Sequence, residues 1–286
     1  MGQWSAGWVP RDAWLTPGYA EWAPPAALGG LVACLWAGVA ADDTDTGALV
    51  LPDACSDLVW EQGIGGYLAG PDIGAWRMAA QPGRAVVGVR FRPAAGGQAL
   101  GLPLSEVRDQ RVPLGDVLPP GRWILPRLPA TLSPAEAAAR VLDIAGRMIA
   151  DSDADRALTR AAALLRDPAA RTEDIAGQVG LSERQLRRRC HAAAGYGPKT
   201  LQRVLRFQRF VQLLDTTPLG APGLGTTVPG SAGRPFDLAA AAAAAGYADQ
   251  PHLTRECVEF SGLTPAQLAR IRRPGWPAEP LAGEAA

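Results

Sequence analysis

The sequence is poor in the residues and patterns that metal sites, disulfide frameworks and membrane spans require. Its 286 residues include two histidines and four cysteines. The cysteines show no C-x-x-C or zinc-finger spacing, so neither a metal site nor a disulfide framework is indicated. No apolar run of about 18 residues occurs, and the amino-terminal residues do not combine a basic start with an apolar segment. We therefore expect a cytoplasmic protein that has no cofactor and does not contact membranes.

The common signatures of catalysis are also missing. The chain has no G-x-S-x-G, no P-loop and no G-x-G-x-x-G after a strand. Cys190 and His191 are adjacent, but neighbours on a helix point about 100° apart and cannot act as a nucleophile and its base. The sequence therefore favours a protein that is not an enzyme.

The net charge of zero conceals an uneven distribution of charge. Residues 1–170 hold 14 Arg and 18 Asp plus Glu, whereas residues 171–286 hold 14 Lys plus Arg and 10 acids. Within residues 171–210 the count is nine basic against three acidic side chains. Such asymmetry is typical of a module that contacts phosphate. The alternative is a solvated, charged helix face.

The stretch LSERQLRRRCHAAA, residues 181–194, predicts a helix with one cationic and one apolar side. At about 100° per residue its positions separate onto two faces. The cationic face holds Arg184, Arg187, Arg188 and His191, and the opposite face holds Leu186, Cys190 and Ala193. Ser182 and Gln185 have the spacing of a capping box, which satisfies free N–H groups at the start of a helix.

A shorter helix is predicted just upstream, over residues 172–179, with Ile175 and Val179 pointing inward. Gly180 supplies a tight turn between the two helices, which gives a helix-turn-helix unit over residues 172–195. Short helix pairs with a glycine turn are common in proteins. Spacing alone therefore supports a plain helical hairpin as well as it supports DNA binding.

A second copy of the pattern decides between these two interpretations. Five residues of the first unit recur 67 positions later: Leu186, Arg188, Cys190, Gly195 and Pro198 correspond to Leu253, Arg255, Cys257, Gly262 and Pro265. Two tandem helix-turn-helix units rarely arise by accident. The repeat therefore favours DNA binding.

The two units resemble the DNA-binding domain of AraC/XylS-type bacterial transcription regulators. The first unit of that family has S-x-x-x-L-x-R ahead of G-x-x-P, which is present here at Ser182, Leu186, Arg188, Gly195 and Pro198. The second has G-[YF]-x-D-Q-x-[HY]-[LF]-x-R and a later G-x-[TS]-P, which is present at Gly246, Tyr247, Asp249, Gln250, His252, Leu253, Arg255, Gly262, Thr264 and Pro265. The resemblance covers roughly residues 155–270. It departs from the family pattern in having Cys190 and Cys257 where the family has Phe.

The resemblance implies that recognition helices 182–194 and 249–261 lie in successive major grooves of double-stranded DNA. Arg184, Arg187 and Arg188 are then the candidates for base contacts, because arginine can donate two hydrogen bonds to guanine. The full set of predicted DNA-binding residues is Arg184, Gln185, Arg187, Arg188, His191, Gln250, His252, Thr254 and Arg255. Glu256 and Glu259 add negative charge to the second helix, so we expect the first unit to dominate affinity.

The amino-terminal half is predicted to be rich in β-strands. Residues 1–30, with several Trp, indicate an irregular arm, and short apolar or alternating runs follow to about residue 130. The segments LPDACSDLVW, GVRFRP and LPLSEVRDQRVPL resemble the amino-terminal domain of one AraC-type subgroup. In the wider family the corresponding domain is a cupin-like barrel that binds a small effector or mediates dimerisation.

Five residues of this half are candidates for an effector site: Asp53, Cys55, Asp57, Arg90 and Arg92. The first three alternate along one predicted strand, which places them on one face, and the two arginines alternate along another. The alternative is that both aspartates have turn or capping roles at a strand end.

The predicted fold is thus α+β with two domains, a β-rich domain of possible cupin type and an all-α domain. The boundaries are 1–130 for the β-rich domain, 131–154 for a connecting helix and linker, and 155–273 for the DNA-binding domain. Within the latter, a flexible insert at 215–235 separates the first helix-turn-helix unit (172–195) from the second (238–262), and residues 274–286 form a disordered tail. The connecting helix either pairs with its twin in a dimer or packs on its own domain.

The sequence therefore predicts a sequence-specific transcription regulator, with double-stranded DNA, a small-molecule effector, RNA polymerase and a second copy of the chain as partners. Two other classes of function compete with it. An enzyme carrying a DNA-binding module would need an activated cysteine, and neither Cys34 nor Cys55 lies in a suitable motif. A protein-interaction scaffold would show no salt-dependent affinity for DNA.

Overall fold

A computed structural model describes residues 18–39, 48–78, 82–117, 128–150, 152, 155–216 and 237–272. The strands are β1 (Gly18–Trp22), β2 (Val32–Val39), β3 (Ala48–Val50), β4 (Ser56–Glu61), β5 (Gly65–Ala69), β6 (Trp76–Met78), β7 (Ala85–Phe91) and β8 (Arg111–Pro113). The helices are α1 (Gly96–Leu100), α2 (Leu114–Val117), α3 (Pro134–Ala150), α4 (Arg156–Leu164), α5 (Thr172–Gln178), α6 (Glu183–Ala194), α7 (Pro198–Thr216), α8 (Leu238–Ala245), α9 (Gln250–Ser261) and α10 (Pro265–Arg272). A 3-10 helix, Leu104–Glu106, follows α1. The predicted α+β fold class is confirmed.

Six strands form one antiparallel sheet in the order β1-β2-β7-β4-β5-β8, and β3 pairs with β6. Because successive side chains of a strand point to opposite faces, this sheet has two different surfaces. One surface is built from Leu58, Trp60, Val87, Val89 and Phe91, all of them fully buried. The other carries Asp57, Val59, Val86 and Arg90 from the same two strands. The predicted cupin-like form of this half stays a prediction.

Helix α3 covers the first surface of the sheet. Its apolar stripe, Val141, Ile144, Ala145 and Met148, is fully buried in one core with the sheet residues. Full burial of a side chain of this size contributes about 1.5–3 kcal/mol. A capping box marks the start of this helix, because Ser133 and Glu136 hydrogen-bond each other's side chains and backbone N–H groups. Of the two predicted roles, the structure shows α3 packed on its own domain.

The carboxy-terminal half is helical, and α7 lies at its centre. This helix packs against α6, α8, α9 and α10. Leu201, Val204 and Val211 of α7 point into the core. Helices α5 and α6 lie within residues 172–195, and α8 and α9 lie within residues 238–262. The predicted insert beyond residue 216 and the predicted tail lie outside the described residues.

The described parts of the two halves are in contact with each other. Helix α6 packs against α1 and the 3-10 helix. At that contact a Cβ on Gly97 would lie 2.5 Å from the carbonyl oxygen of Ala192, so the approach requires glycine. The side-chain amide of Gln208 donates to the carbonyl oxygen of Pro52 at 2.6 Å. The backbone N–H of Ala75 donates to the carbonyl oxygen of Phe260 at 2.8 Å. The amino-terminal half therefore contacts the last turns of both α6 and α9.

Part of the predicted irregular arm is regular. Residues 18–22 form the edge strand β1, whose partners on β2 run from Gly18 opposite Val39 to Trp22 opposite Leu35. The prediction of irregular structure is wrong for these five residues, because backbone pairing with β2 orders them. Trp4, Trp8 and Trp14 lie outside the described residues. None of the described helices combines the length and apolarity needed to cross a bilayer.

Candidate nucleic-acid interface and interdomain cavity

The first helix-turn-helix unit consists of α5, a glycine turn and α6. Gly180 has a φ of 69°, a left-handed conformation that glycine adopts without strain. The side chain of Ser182 accepts a hydrogen bond from the N–H of Gln185 at 3.3 Å, and Gln185 Oε1 accepts one from the N–H of Ser182 at 2.8 Å. This is the predicted capping box, and it fixes where α6 begins.

The outer face of α6 carries three exposed arginines, Arg184, Arg187 and Arg188. Within the described residues none of them forms an ion pair or a hydrogen bond. Leu186 and Cys190, on the opposite face, are fully buried. The two faces that the sequence predicts are therefore present, and the cationic face has no partner within the described part of the chain.

The remaining polar residues of α6 have more restricted positions. Arg189 forms an ion pair with Asp155 at 2.7 Å, and Asp155 also caps α4 by accepting a hydrogen bond from the N–H of Leu158. His191 is half-buried, and Gln185 uses its carbonyl oxygen in the capping box. These residues flank the arginine face.

The second unit repeats this plan with α8, a turn at Gly246 and α9. Asp249 caps α9 by accepting a hydrogen bond from the N–H of His252 at 2.7 Å. Gln250 and Arg255 are exposed, and Arg255 has no ion-pair partner within the described residues. Thr254 is half-buried, and its hydroxyl donates to the carbonyl oxygen of Gln250. The second unit thus presents one free arginine where the first presents three.

Two arginines of α7 connect α7 to the inner side of α9. Glu256 accepts from Arg203 Nε at 2.8 Å and from Arg206 Nη2 at 2.7 Å, and Arg203 also pairs with Glu259. Glu256 is only 5% exposed. Burial by itself would raise the pKa of Glu256, but the hydrogen bonds from Arg206 and Arg203 outweigh it and hold this pKa below its ordinary value.

This network corrects the prediction for Glu256 and shows which side chains surround His252. Glu256 does not face outward to repel phosphate, because it is buried and neutralised against α7. The His252 ring packs edge-on against Tyr247, and its Nε2 lies 3.6 Å from Glu256, at the flank of α9. A sequence signal for the network exists: two arginines three residues apart on α7 match two glutamates three residues apart on α9.

A cavity of about 960 Å³ lies between the second surface of the sheet and the carboxy-terminal half. Asp53, Cys55, Asp57 and Arg90 line it together, as predicted. The far wall includes Gln208 and Val211 of α7 and Arg272 of α10. The cavity is thus bounded by both halves of the chain.

Arg90 is the charged centre of the sheet side of the cavity. It lies opposite Asp57 in the register of β7 and β4, with its Nε 3.1 Å from Asp57 Oδ1. Asp53 Oδ2 is 3.4 Å from Nε, and Glu21 Oε1 is 3.5 Å from Nη1. Trp36 Nε1 donates to Asp57 at 2.6 Å.

A glycine in β7 determines where the Trp36 indole lies. A Cβ at Gly88 would be 2.3 Å from this ring, so the indole lies flat over the glycine and forms part of the cavity wall.

The prediction for Arg92 is wrong. Strand β7 ends at Phe91, where the chain turns toward α1, so the alternation that would place Arg92 beside Arg90 does not continue. Arg92 Nε instead donates to the carbonyl oxygen of Gly29 at 2.8 Å. Asp53 lines the cavity and also accepts a hydrogen bond from the N–H of Cys55. Because β4 begins at Ser56, Asp53 and Cys55 lie in the turn before it, and the prediction that they alternate along this strand is wrong.

Comparison with known proteins gives one family and three solved structures. Residues 20–113 match a family described as a domain of unknown function, DUF6597. No curated protein matches the chain.

All three structures are of ToxT from Vibrio cholerae. ToxT is 11% identical over 81% of this chain and 95% of its own, with a TM-score of 0.43. An apo lysine-to-alanine variant and a form with a bound unsaturated fatty acid are each 12% identical over 82% of this chain, with TM-scores of 0.40 and 0.39. Likeness at this level does not establish a shared function.

Proposed function

We propose that this chain is a sequence-specific, DNA-binding transcription regulator of the AraC type. The observation that carries the proposal is the outer face of α6, where Arg184, Arg187 and Arg188 are exposed at helical spacing without a carboxylate partner within the described residues. Structural ion pairs would occupy such arginines if their role were to hold the fold together. Free guanidinium groups on the second helix of a helix-turn-helix unit suit the major groove.

The second unit supports the same function through its fixed relation to the first. Helix α7 contacts α6 on one side and α9 on the other, and the Arg203–Glu256 and Arg206–Glu256 pairs attach α9 to it. The two recognition helices, α6 and α9, both pack on α7 and would enter successive major grooves of the same duplex. Arg255 is then the principal base contact of the second unit, and Gln250 and Thr254 lie beside it.

We propose that the amino-terminal half senses a small-molecule effector in the interdomain cavity. The volume of the cavity lies within the range of small-molecule sites. The cavity is bounded by α7, which packs against both recognition helices, α6 and α9. In this proposal the first domain extends through α3 to about residue 150, because the α3 stripe is buried against the sheet. Contacts with RNA polymerase, a homodimer and a cytoplasmic location stay predictions.

An enzymatic function has less support. An enzyme of the kind considered above would need a cysteine that ionises readily, because the thiolate is the nucleophile. Burial raises the pKa of Cys34 to about 12, and burial also raises the pKa of Cys55 well above its ordinary value. Both thiols are therefore protonated at neutral pH.

Selection from a random duplex DNA pool tests the regulator proposal. The wild-type protein should recover a discrete motif, and its affinity should fall steeply with salt, by about 10³–10⁵ between about 50 and 200 mM if it contacts 6–10 phosphates. The Arg187→Ala/Arg188→Ala variant should recover no motif. Arg140→Ala/Arg147→Ala, which removes the same charge from α3, should behave as wild type. Absence of a motif with no salt dependence would instead support a protein-interaction scaffold.

A further inference from the structure

We propose that the interdomain cavity binds an organic cation, a protonated amine carried on an apolar or aromatic body. This inference deepens the effector role proposed above and rests on it. It comes from how charges are paired on the cavity wall and from the aromatic rings between them.

The described residues that line the cavity include more acids than bases. Glu21, Asp53, Asp57, Glu61, Asp72 and Asp215 stand against Arg84, Arg90, Arg111 and Arg272. Two of these arginines each form a bidentate ion pair with one carboxylate. Arg111 donates to Asp72 in two hydrogen bonds of 2.6 Å. Arg272 donates to Asp215 in two hydrogen bonds of 2.7 and 2.6 Å. Arg84 lies near Glu61 and lowers the pKa of that carboxyl, against a larger opposing effect of burial.

The remaining three carboxylates, those of Glu21, Asp53 and Asp57, share the single guanidinium of Arg90. The excess of negative charge is therefore concentrated at one place on the wall. Two carboxylate oxygens there, Asp57 Oδ2 and Glu21 Oε2, accept no hydrogen bond within the described residues. A protonated amine would supply both the missing charge and the missing donors.

The burial of Asp53 points in the same direction. Burial is the largest influence on this carboxyl and raises its pKa, Arg90 lowers it, and Asp57 raises it again, so that the pKa stays above its ordinary value. Burial thus disfavours the ionised form of Asp53. A bound cation would stabilise that form.

Aromatic rings surround this acidic group. Trp36 and Tyr19 pack with ring centroids 6.0 Å apart, and Tyr67 lies on the same wall. Aromatic faces attract cations, by about 0.5–2 kcal/mol depending on desolvation. The wall already shows this chemistry, because Arg111 lies 4.0 Å over the Trp76 ring and Arg90 lies 6.0 Å from that of Trp36.

The rest of the wall suits the body of such a ligand. Val59, Val86 and Ala69 of the sheet and Val211 of α7 provide apolar surface across a cavity of about 960 Å³. An anionic ligand is disfavoured, because it would have to displace three carboxylates from Arg90. The charge pattern thus selects cation over anion, and the apolar walls select an organic ion over a hydrated inorganic one.

Three probes that share one body and differ in charge test this inference on the full chain: 4-phenylbutylamine, 4-phenylbutan-1-ol and 4-phenylbutanoate. Calorimetric titration should show the amine binding about tenfold tighter than the alcohol, which is about 1.4 kcal/mol, with the carboxylate weakest. Asp53→Asn should reduce the amine's affinity to that of the alcohol while keeping the hydrogen bond from Cys55. Glu21→Gln, on the edge strand, provides a second test in case Asp53→Asn disturbs folding. This variant should also reduce the affinity for the amine.

Asp143→Asn is the matched control, because Asp143 lies on α3 and pairs with Arg147 away from the cavity. It should leave the amine's affinity unchanged. Any of four results would overturn the inference. The three probes could bind equally, the carboxylate could bind more tightly than the amine, or no probe could bind. The fourth result is an amine affinity that neither Asp53→Asn nor Glu21→Gln changes. Selection of DNA by the same preparation separates this outcome from failure of the regulator proposal, because a recovered motif with no amine preference rejects the ligand class alone.

Discussion

The two helix-turn-helix units share a local design but are held in place by different forces. In both, a left-handed glycine makes the turn, a side chain caps the second helix, and Leu186 or its counterpart Leu253 is fully buried. The first unit leaves its arginines free, because its own fixing contacts are apolar packing and the Arg189–Asp155 pair. The second unit is attached through the acids of α9, which pair with arginines of α7.

In our proposal, this difference separates the charges that recognise DNA from the charges that hold the helices together. On α7, Arg203 and Arg206 add to the basic residues of the helical half, yet both pair with Glu256. A count of arginines therefore overestimates the number of cationic side chains in this half that are free to contact phosphate. In our proposal, an arginine that contacts DNA is distinguished by having no carboxylate partner on a neighbouring helix.

The largest expected effect is on the attachment of the second unit. Glu256→Gln removes the counter-charge of Arg206 and Arg203 in a buried place, and breaking such a pair costs about 3–5 kcal/mol of stability. Amide hydrogen exchange should accelerate in α9 and stay slow in α5 and α6. Glu259→Gln, at an exposed pair, should cost no more than about 1 kcal/mol. Equal loss of protection in both units would show that they are not held separately.

The next effect is on DNA affinity at two equivalent positions. Arg188→Ala should cost about 1–3 kcal/mol of discrimination, the range for one bidentate arginine–guanine contact. Arg255→Ala should cost less of this discrimination, because α9 has no second free arginine and carries Glu259 nearby. Competition binding with the selected operator measures both losses. A loss for Arg255→Ala as large as that for Arg188→Ala would contradict the unequal roles of the two units.

A smaller effect concerns the two helix caps. Ser182→Ala and Asp249→Ala should each lower the free energy of unfolding by about 0.5–2 kcal/mol, because each removes an acceptor at a helix start. The loss of unfolding free energy should be larger for Asp249→Ala than for Ser182→Ala by about 0.3–1 kcal/mol, because Asp249→Ala also removes a negative charge from the positive end of the helix dipole. Chemical denaturation of the two variants and of Asp249→Asn, which keeps the cap, measures the difference.

The smallest effect is on the pH dependence of stability. The pKa of Glu256 is lowered in the folded chain, so its contribution is fully present above the ordinary glutamate pKa of about 4.3 and is lost as pH falls through the folded value. Thermal unfolding between about pH 3 and 6 should therefore show a steeper loss for wild type than for Glu256→Gln. Parallel curves for the two proteins would indicate that folding does not lower the pKa of Glu256.

The sequence by itself determined the local structure of the helical half and the face that reads DNA in our proposal. Ser182 with Gln185, Gly180 and Gly246, and the spacing of Arg184, Arg187 and Arg188 act within one or two helical turns, so their consequences do not depend on distant parts of the chain. The bounds of α6 and α9 followed from these signals. The strand alternation that places Asp57 and Arg90 on one face was local in the same sense.

Only the tertiary structure decided which charges are free and what the sheet faces. Glu256 is buried because α7 lies against α9, Arg92 turns away because β7 ends one residue earlier, and α3 is a packing helix because the sheet offers it an apolar surface. The cavity is formed by residues as far apart as Glu21 and Arg272. Contacts between residues so distant in sequence depend on how whole elements pack, and no periodicity within a single segment encodes that arrangement.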